Sequence, residues 1–320
     1  MMAKFFLQCL FLIALLPLQV GGFEQRAGFL NDPCLEWEIA WDGAQDNPFD
    51  VVASAVFTHP SGEKRVTGMY YAGNGRWQFR FTGTKTGTWT FQTQGPGELG
   101  GKSGVVIIKE SANGRHNGFI THFGNKWGWE GTGKAFIPQY VMGKDMQYFY
   151  DFKNNRVDEG KIEQDIKEFM HEHGFTGFHL RLDRAWFDIQ ENMDENRNPD
   201  VRTFAVVETI LQKVYQHGGA CHLWMWGKDK NKDGDGPRAI VGGPMSQADK
   251  RILRYIAARL APLPGWSIGY GYDTENLWAS PKELSQWKAF LESHAGWDHF
   301  IGARVGFDEK GLYGRYGKGI

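Results

Sequence analysis

The sequence contains little cysteine and no excess of charge of either sign. Only 3 of its 320 residues are cysteine, and Cys9 lies in an N-terminal apolar run. The other two, Cys34 and Cys221, are too few for a disulfide scaffold, so a hydrophobic core must supply the stability. Lys and Arg number 36 against 37 Asp and Glu, a net charge of -1. Without a basic field to attract a polyanion, we expect no nucleic-acid partner.

After the N-terminal segment, the sequence contains no apolar run of the length, about 20 residues, that a membrane-spanning helix needs. Residues 1–22 contain Lys4, an apolar run from Phe5 to Leu16, and then Pro17 and small residues. This order is typical of a secretory signal peptide, so we predict a secreted, periplasmic or cell-surface protein without membrane contact after cleavage. An uncleaved N-terminal anchor is the alternative.

Several catalytic motifs are also missing from the sequence. It contains no HExxH, Walker-type glycine-rich loop, GxSxG or CxxC. Zinc peptidase, P-loop and thiol redox chemistry therefore lack their usual sequence support. The sequence is instead rich in glycine and aromatic residues, with 42 Gly, 13 Trp, 11 Tyr and 23 Phe. Many turns and many flat side chains are expected from this composition.

Residues 23–110 have the pattern of a small antiparallel β-sandwich of immunoglobulin-like type. Short segments rich in Val, Ile, Thr and aromatic residues alternate with turns such as Pro60-Ser61-Gly62 and Gly73-Asn74-Gly75. Such strands at a spacing of about 8–15 residues predict two packed sheets. Residues 111–135 are polar and glycine-containing, and we interpret them as a linker.

Residues 136–320 alternate short apolar runs with amphipathic stretches. This βα repetition predicts a parallel sheet, either an eight-stranded (β/α) barrel of the TIM type or an open doubly wound sheet. Only five strands can be identified, whereas a full barrel usually needs about 250 residues. We therefore predict a partial (β/α)8 domain with about five βα units, and an apparently incomplete chain.

Functional groups in parallel α/β folds gather where the strands end. Three successive strand ends carry acidic, basic or histidine residues beside aromatic ones, a mixture that suits a sugar because rings stack on pyranoses and carboxyl groups handle hydroxyls. We predict Glu275 as a catalytic carboxyl group, with Asp273 as a second candidate two residues before it. The predicted substrate-binding residues are Arg181, Asp183, Trp186, His222, Trp224, Trp226 and Tyr272.

Each of these residues also has a structural interpretation. Asp183 could pair with Arg181 or Arg184, and His222 is more often a satisfied interior histidine than a catalyst. Trp224 and Trp226 flank Met225 on one strand, so one face of that strand is expected in the core. Either Asp273 or Glu275 could cap a turn.

A second motif resembles the first half of a calcium-binding loop. Its oxygen-bearing residues are Asp229, Asn231, Asp233 and Asp235, with a glycine at the sixth position. Position 12 is Ile240 instead of a bidentate Glu, and Pro237 interrupts the pattern. A solvated acidic turn is the main interpretation, a structural Ca²⁺ site the alternative, and we expect no other cofactor.

Residues 34–110 resemble a known family. Phe57-Thr58, Gly68-Met69-Tyr70, Trp77, Arg80-Phe81 and Gly87-Thr88-Trp89 are similar to the N-terminal β-sandwich of secreted bacterial proteins termed domain of unknown function 5060. In these proteins the sandwich precedes a barrel of glycoside hydrolase clan A type. The resemblance implies a polysaccharide substrate, an acid/base Glu after the fourth strand, matched here by Glu275, and a nucleophile Glu after a seventh strand, which the five strands do not include.

Two functions are consistent with these residues and this resemblance. The first is a secreted glycoside-hydrolase-like protein that acts on a polysaccharide or oligosaccharide by carboxylate acid/base catalysis. The second is a non-catalytic carbohydrate-binding or surface-adhesion protein, or an inactive fragment of a glycosidase. The sugar, the linkage and the oligomeric state are left open.

Overall fold

The computed structural model describes residues 22–32, 34–111, 116–124, 126–227, 234–271 and 279–302. Its N-terminal part contains two sheets that share one core. One sheet has the order β1-β8-β7-β3-β4 and the other β2-β6-β5. The strands are β1 (Arg26–Phe29), β2 (Leu35–Ala40), β3 (Ser54–Thr58), β4 (Lys64–Gly68), β5 (Tyr70–Tyr71), β6 (Arg76–Phe81), β7 (Gly87–Gln94) and β8 (Ser103–Lys109), with 3₁₀ turns at Pro48–Asp50 and Gly97–Leu99.

The core of this sandwich is aromatic because the strands alternate buried and exposed residues. Trp89 and Phe91 of β7 point inward between exposed polar neighbours. Trp37 stacks on Phe79 across the core at 5.3 Å between ring centroids. The pairing is antiparallel apart from β1 and β8, which run parallel. The two-sheet arrangement matches the sequence prediction, although the sequence pattern does not predict β1.

Residues 116–136 contain an antiparallel hairpin where the sequence predicts only a linker. Its strands are β9 (Ile120–Phe123) and β10 (Lys126–Trp129). Trp127 stacks on Phe300 at 4.6 Å, and Trp129 is 3% exposed. The strands are short and glycine-interrupted, so their alternation is too brief to recognise in the sequence. This hairpin attaches the segment to the following domain.

The second part is built on a five-stranded parallel sheet with the order β11-β14-β15-β16-β17. Among the described strands the order along the sheet follows the chain, without the reversal that a doubly wound sheet requires. Within the described residues the sheet is open, and a closed TIM barrel is not shown. Its strands are β11 (Tyr140–Met142), β14 (Gly177–Arg181), β15 (Ala220–Trp226), β16 (Trp266–Gly271) and β17 (Phe300–Gly302). A separate two-stranded hairpin consists of β12 (Tyr150–Asp151) and β13 (Arg156–Val157).

Helices connect these strands and cover one face of the sheet. Ser280 begins the last helix with a reciprocal capping box to Glu283, which satisfies two backbone donors. Phe178, Leu223 and Ile268 of the sheet share a buried core with the helices. The helices are α1 (Glu159–Asp165), continued as a π-helix at Ile166–Glu172, α2 (Val201–Gln216), α3 (Pro237–Ile240), α4 (Gln247–Leu260) and α5 (Pro281–His294), with 3₁₀ turns at Met146–Phe149 and Asp183–Trp186.

A buried ion-pair network joins the sandwich to the helices. Arg80 of β6 contacts Glu208 of α2 at 2.7 Å, and Arg259 of α4 contacts the same carboxylate at 2.8 Å. The two guanidiniums hold the pKa of Glu208 at about 2 against the opposing effect of burial. Arg80 also donates to the carbonyl of Arg259 at 3.0 Å. The two parts are therefore fixed to each other by charged groups that have left water.

Two further observations concern membranes and cysteines. None of the helices in the described ranges is long and apolar enough to cross a membrane. Cys34 and Cys221 are free thiols. Burial raises the pKa of each to about 12, so both are protonated at neutral pH; Cys221 lies in the core and Cys34, partly buried, packs against it.

Candidate functional site

The two faces of the parallel sheet differ in chemistry. Strand residues alternate between faces, and residues paired on neighbouring parallel strands share a face. His179 pairs with His222, which pairs with Ser267, and Arg181 pairs with Trp224. These five residues define what we call the polar face; the helices cover the opposite one.

The centre of the polar face is an aromatic and histidine cluster. His179 stacks on Trp224 at 4.7 Å and meets His222 edge-on at 5.2 Å. His222 Nδ1 lies 2.8 Å from the Ser267 hydroxyl. Burial, helped by His179, lowers the pKa of His222 to about 3, so the ring is neutral. His222 thus has the features of a satisfied interior histidine, the structural interpretation that the sequence leaves open.

A glycine makes this cluster possible. A Cβ on Gly269 would lie 2.8 Å from Nε2 of His222 and 3.4 Å from the Trp224 ring. Gly269 pairs with Trp224 in the sheet. The absence of a side chain on β16 therefore gives these two rings their space on the polar face.

Arg181 and Asp183 lie where β14 ends. Arg181 Nε is 3.0 Å from Asp183 Oδ2, while the Arg181 side chain is 43% exposed and that of Asp183 only 2%. Neither Asp183 oxygen accepts a well-formed hydrogen bond within the described residues. The contact is therefore a close approach of limited geometry, which becomes an ion pair only when Asp183 loses its proton, and it identifies Arg181 as the partner that the sequence leaves open.

The backbone of Asp183 is itself unusual. Its φ is +32°, a left-handed value that non-glycine residues rarely adopt. Such conformations cost about 1–3 kcal/mol and persist where the surroundings enforce them, often at functional sites. The strain and the buried carboxyl therefore coincide at one residue at the end of a strand.

A second acidic residue lies next to Asp183. A Cβ on Gly227, the residue after β15, would lie 2.9 Å from Asp183 Oδ2 and 2.6 Å from the Asp235 Cβ. Asp235 accepts from Arg184 Nε at 2.7 Å, and Arg184 also donates to the Gly234 carbonyl at 3.0 Å. Two carboxyl groups, each with its own arginine, thus flank one glycine.

The surroundings of Asp183 decide its protonation. Burial is the main cause that raises its pKa from 3.8 to about 8, with Asp235 and Glu191 adding to the rise and Arg181 opposing it. A carboxyl group with this pKa retains its proton at neutral pH and can donate it, which an ordinary aspartic acid cannot. The site can therefore supply a proton, a guanidinium with an exposed half and an aromatic ring.

Two of the predicted aromatic residues lie elsewhere. Trp186 is fully buried, packs on Phe204 at 5.0 Å and donates its indole N–H to the Met225 carbonyl at 3.2 Å. Trp226 is also fully buried and stacks on Phe187. Neither offers a ring face to a ligand in this structure, because both fill the core behind the strand ends. Trp224, at 8% exposed, retains slightly more accessible surface.

The remaining predicted residues fall outside the described residues. These are Glu275, Asp273 and Tyr272 of the predicted catalytic and sugar-binding set, and Asp229, Asn231 and Asp233 of the predicted calcium loop. Asp235, the described member of that loop, pairs with Arg184. In the described ranges, no group of three His, Cys, Asp or Glu residues is arranged to hold a metal ion.

Sequence reasoning missed His179 and Tyr140. Tyr140 meets the His179 ring edge-on at 5.1 Å, which extends the cluster across β11. The signal was available, because His179 and Arg181 alternate with the core residues Phe178 and Leu180 along β14. Reading every second residue of each strand, instead of the strand ends alone, would have identified the polar face.

Comparison with known proteins gives two findings. The family model of domain of unknown function 5060 matches residues 35–95, within the sandwich. A structure from Bacteroides vulgatus ATCC 8482, provisionally described as a glycoside hydrolase, is similar with a TM-score of 0.71 and 15% identity. The similarity covers 91% of this chain and 58% of that chain, so this chain spans little more than half of its length.

Two other structures are much less similar, with TM-scores below 0.5. A Salmonella typhimurium protein provisionally described as an α-amylase has a TM-score of 0.31, with 11% identity over 84% of this chain and 47% of that one. Pullulanase type I from Bacillus subtilis strain 168, solved with maltose, has a TM-score of 0.25, with 10% identity over 83% and 45%. No curated protein matches the sequence. The comparisons thus show a match to domain of unknown function 5060 in the sandwich and a fold shared with the Bacteroides structure.

Proposed function

We propose that this protein is a secreted, glycoside-hydrolase-like protein that acts on a polysaccharide at the carboxyl edge of its parallel sheet, in a domain of partial TIM-barrel type. The observation that carries the proposal is Asp183, a buried carboxyl that keeps its proton at neutral pH at the end of a parallel strand. Glycosidic bond cleavage requires such a proton for the leaving oxygen. The fold shared with the Bacteroides structure is consistent with this chemistry.

The neighbours of Asp183 suit a sugar. The exposed half of Arg181 can donate to hydroxyl groups, and Trp224 on the next strand adds an aromatic edge. Glu275 follows the last residue of β16 by four positions in the sequence. We assign Glu275 the acid/base role that the resemblance implies, with Asp183 as a second proton-bearing carboxyl. Asp273, two residues before Glu275 in the sequence, is a further proposed catalytic residue.

The test is a screen of polysaccharides for release of reducing ends, followed by variants on the best substrate. Glu275→Gln should abolish product release while leaving substrate affinity within a few-fold. Asp183→Asn should remove the alkaline limb of the pH profile near pH 8, since that limb requires loss of the Asp183 proton. Asp298→Asn, an exposed carboxyl on another part of the surface, is the matched control. Normal turnover by Glu275→Gln would refute its acid/base role.

A carbohydrate-binding protein without catalysis is the second candidate. It is favoured by the arginine partners of both described carboxyls at this edge, Asp183 and Asp235, which suit positioning more than proton transfer. Binding of an oligosaccharide without release of any product, with equal affinity in Glu275→Gln, would select this function.

A further inference from the structure

A second cleft lies between the sandwich and the helices. It has a volume of about 400 Å³ and is lined by β4, β5 and the turn at Pro48–Asp50 on one side and by α4 and the end of α5 on the other. The helices separate it from the polar face, because α4 and α5 pack on the opposite side of the sheet. Its volume is within the range of small-molecule binding sites.

The charge of this cleft has one sign. Its lining, among the described residues, contains Lys64, Arg254 and His294 but neither aspartate nor glutamate. A cleft lined by cations in low-dielectric surroundings attracts anions. Lys64 and Arg254 therefore favour a ligand that carries negative charge.

Arg254 is incompletely neutralised. Its side chain is 25% exposed, and its one hydrogen bond to a described side chain is a long contact of 3.4 Å from Nη2 to Asp50. Asp50 is occupied by Arg251, which donates to its two oxygens at 2.8 and 2.5 Å. Burial lowers the pKa of Arg254, and Asp50 only partly opposes this effect. A partly buried guanidinium with so weak a partner can bind a carboxylate, because its planar fork can donate two parallel hydrogen bonds.

The rest of the lining is apolar and aromatic. Phe49 and Tyr71 meet edge-on at 5.3 Å between ring centroids. Val52 and Val66 also line the cleft and are 68% and 50% exposed. A ligand with a flat, weakly polar face as well as an anionic group matches these walls. Inorganic anions lack such a face, whereas an acidic sugar ring combines both features.

We propose that this cleft is a second saccharide site that binds a uronic acid residue, with its carboxylate on Arg254, Lys64 at the rim and its ring against Phe49 and Tyr71. The choice of a sugar rests on the proposed function, but the site is separate from the polar face. It would hold an acidic polysaccharide on the protein while a neighbouring portion reaches the carboxyl edge of the sheet.

Isothermal titration calorimetry with digalacturonate tests this site. Neutral lactose and inorganic phosphate are the comparison ligands. Loss of a charged hydrogen-bonding partner is expected to weaken digalacturonate binding about tenfold in Arg254→Gln and several-fold in Lys64→Met. Lys109→Met removes the same charge from an exposed position at the end of β8 and should leave Kd unchanged.

The outcomes separate the two proposals. Absence of digalacturonate binding, equal affinity for phosphate, or unchanged Kd in both Arg254→Gln and Lys64→Met would each overturn the cleft proposal. Lys64 is exposed, so its variant keeps the test valid if Arg254→Gln melts at a lower temperature. Product release from polysaccharides that contain no uronic acid tests the polar face without a contribution from Arg254. Either proposal can therefore fail while the other stands.

Discussion

Asp183→Asn is expected to stabilise the protein progressively as the pH rises. The folded state raises the pKa of Asp183 above its ordinary value of 3.8 to about 8. Because the folded state holds this proton more tightly, folding is accompanied by proton uptake at pH values between 3.8 and about 8. The stability of the native protein therefore falls with increasing pH across this window and levels off above pH 8. An asparagine has the same shape and no charge to bury.

The magnitude follows from proton affinity. Each tenfold change in proton affinity corresponds to about 1.4 kcal/mol, so the rise in the pKa from 3.8 to about 8 sets an upper bound of about 6 kcal/mol above pH 8. Because the Asp183 side chain is only 2% exposed, solvent screening reduces this figure little. The advantage of the variant should grow by up to about 1.4 kcal/mol for each pH unit between 4 and 8.

Urea unfolding followed by tryptophan fluorescence at pH 5, 6, 7 and 8 measures this difference. Taking the difference between variant and native protein removes the contribution of every other titrating group. Asp298→Asn, which changes an exposed carboxyl, should run parallel to the native protein. Parallel profiles for Asp183→Asn and native protein would refute the claim that Asp183 is buried with its proton.

Three further substitutions test other parts of the structure. Glu208→Ala should cost about 3–5 kcal/mol in urea unfolding because buried Arg259 loses its carboxylate partner and buried Arg80 keeps only Glu36, and the native stabilisation by Glu208 should be lost as the pH falls from 4.5 towards 2. Trp186→Ala should cost about 3–5 kcal/mol as a core cavity, and a loss of saccharide affinity without loss of stability would contradict its placement. Gly269→Ala should cost about 1–3 kcal/mol in melting experiments because its Cβ would crowd His222, and an unchanged melting temperature would count against the packed polar face.

Much of the parallel sheet could be predicted because its strands are continuous apolar runs. β15, for example, coincides with one of the short apolar runs of residues 136–320, and α2, α4 and α5 coincide with amphipathic stretches. The hairpin β9/β10 was missed because its residues pack against Phe300 and Tyr215, contacts that no local pattern reveals. The order of the described strands, which shows no doubly wound reversal, is likewise a property of the assembled sheet.

The candidate site was only partly predictable for a related reason. The sequence placed Arg181 and Asp183 at a strand end, and the structure brings them within 3.0 Å. Burial depends on what packs around a residue, so the sequence could not show that Asp183 loses its solvent or that Trp186 has no free ring face. Both residues were predicted to bind substrate, and it is tertiary packing that leaves Asp183 at the candidate site and places Trp186 in the core.

The buried contact of Arg80 with Glu208 and Arg259 also limits how the sandwich can be used outside this chain. Excised by itself, the module would present Arg80 and Tyr70 on a face shaped for helices, with the counter-charge of Glu208 left behind. On another domain, Arg80 would keep its contact with Glu36 of β2 but would need an acidic residue at the depth of Glu208 to complete the network. The sandwich is therefore poorly suited to transfer by itself, and in domain-shuffling experiments it should be moved together with α2 and α4.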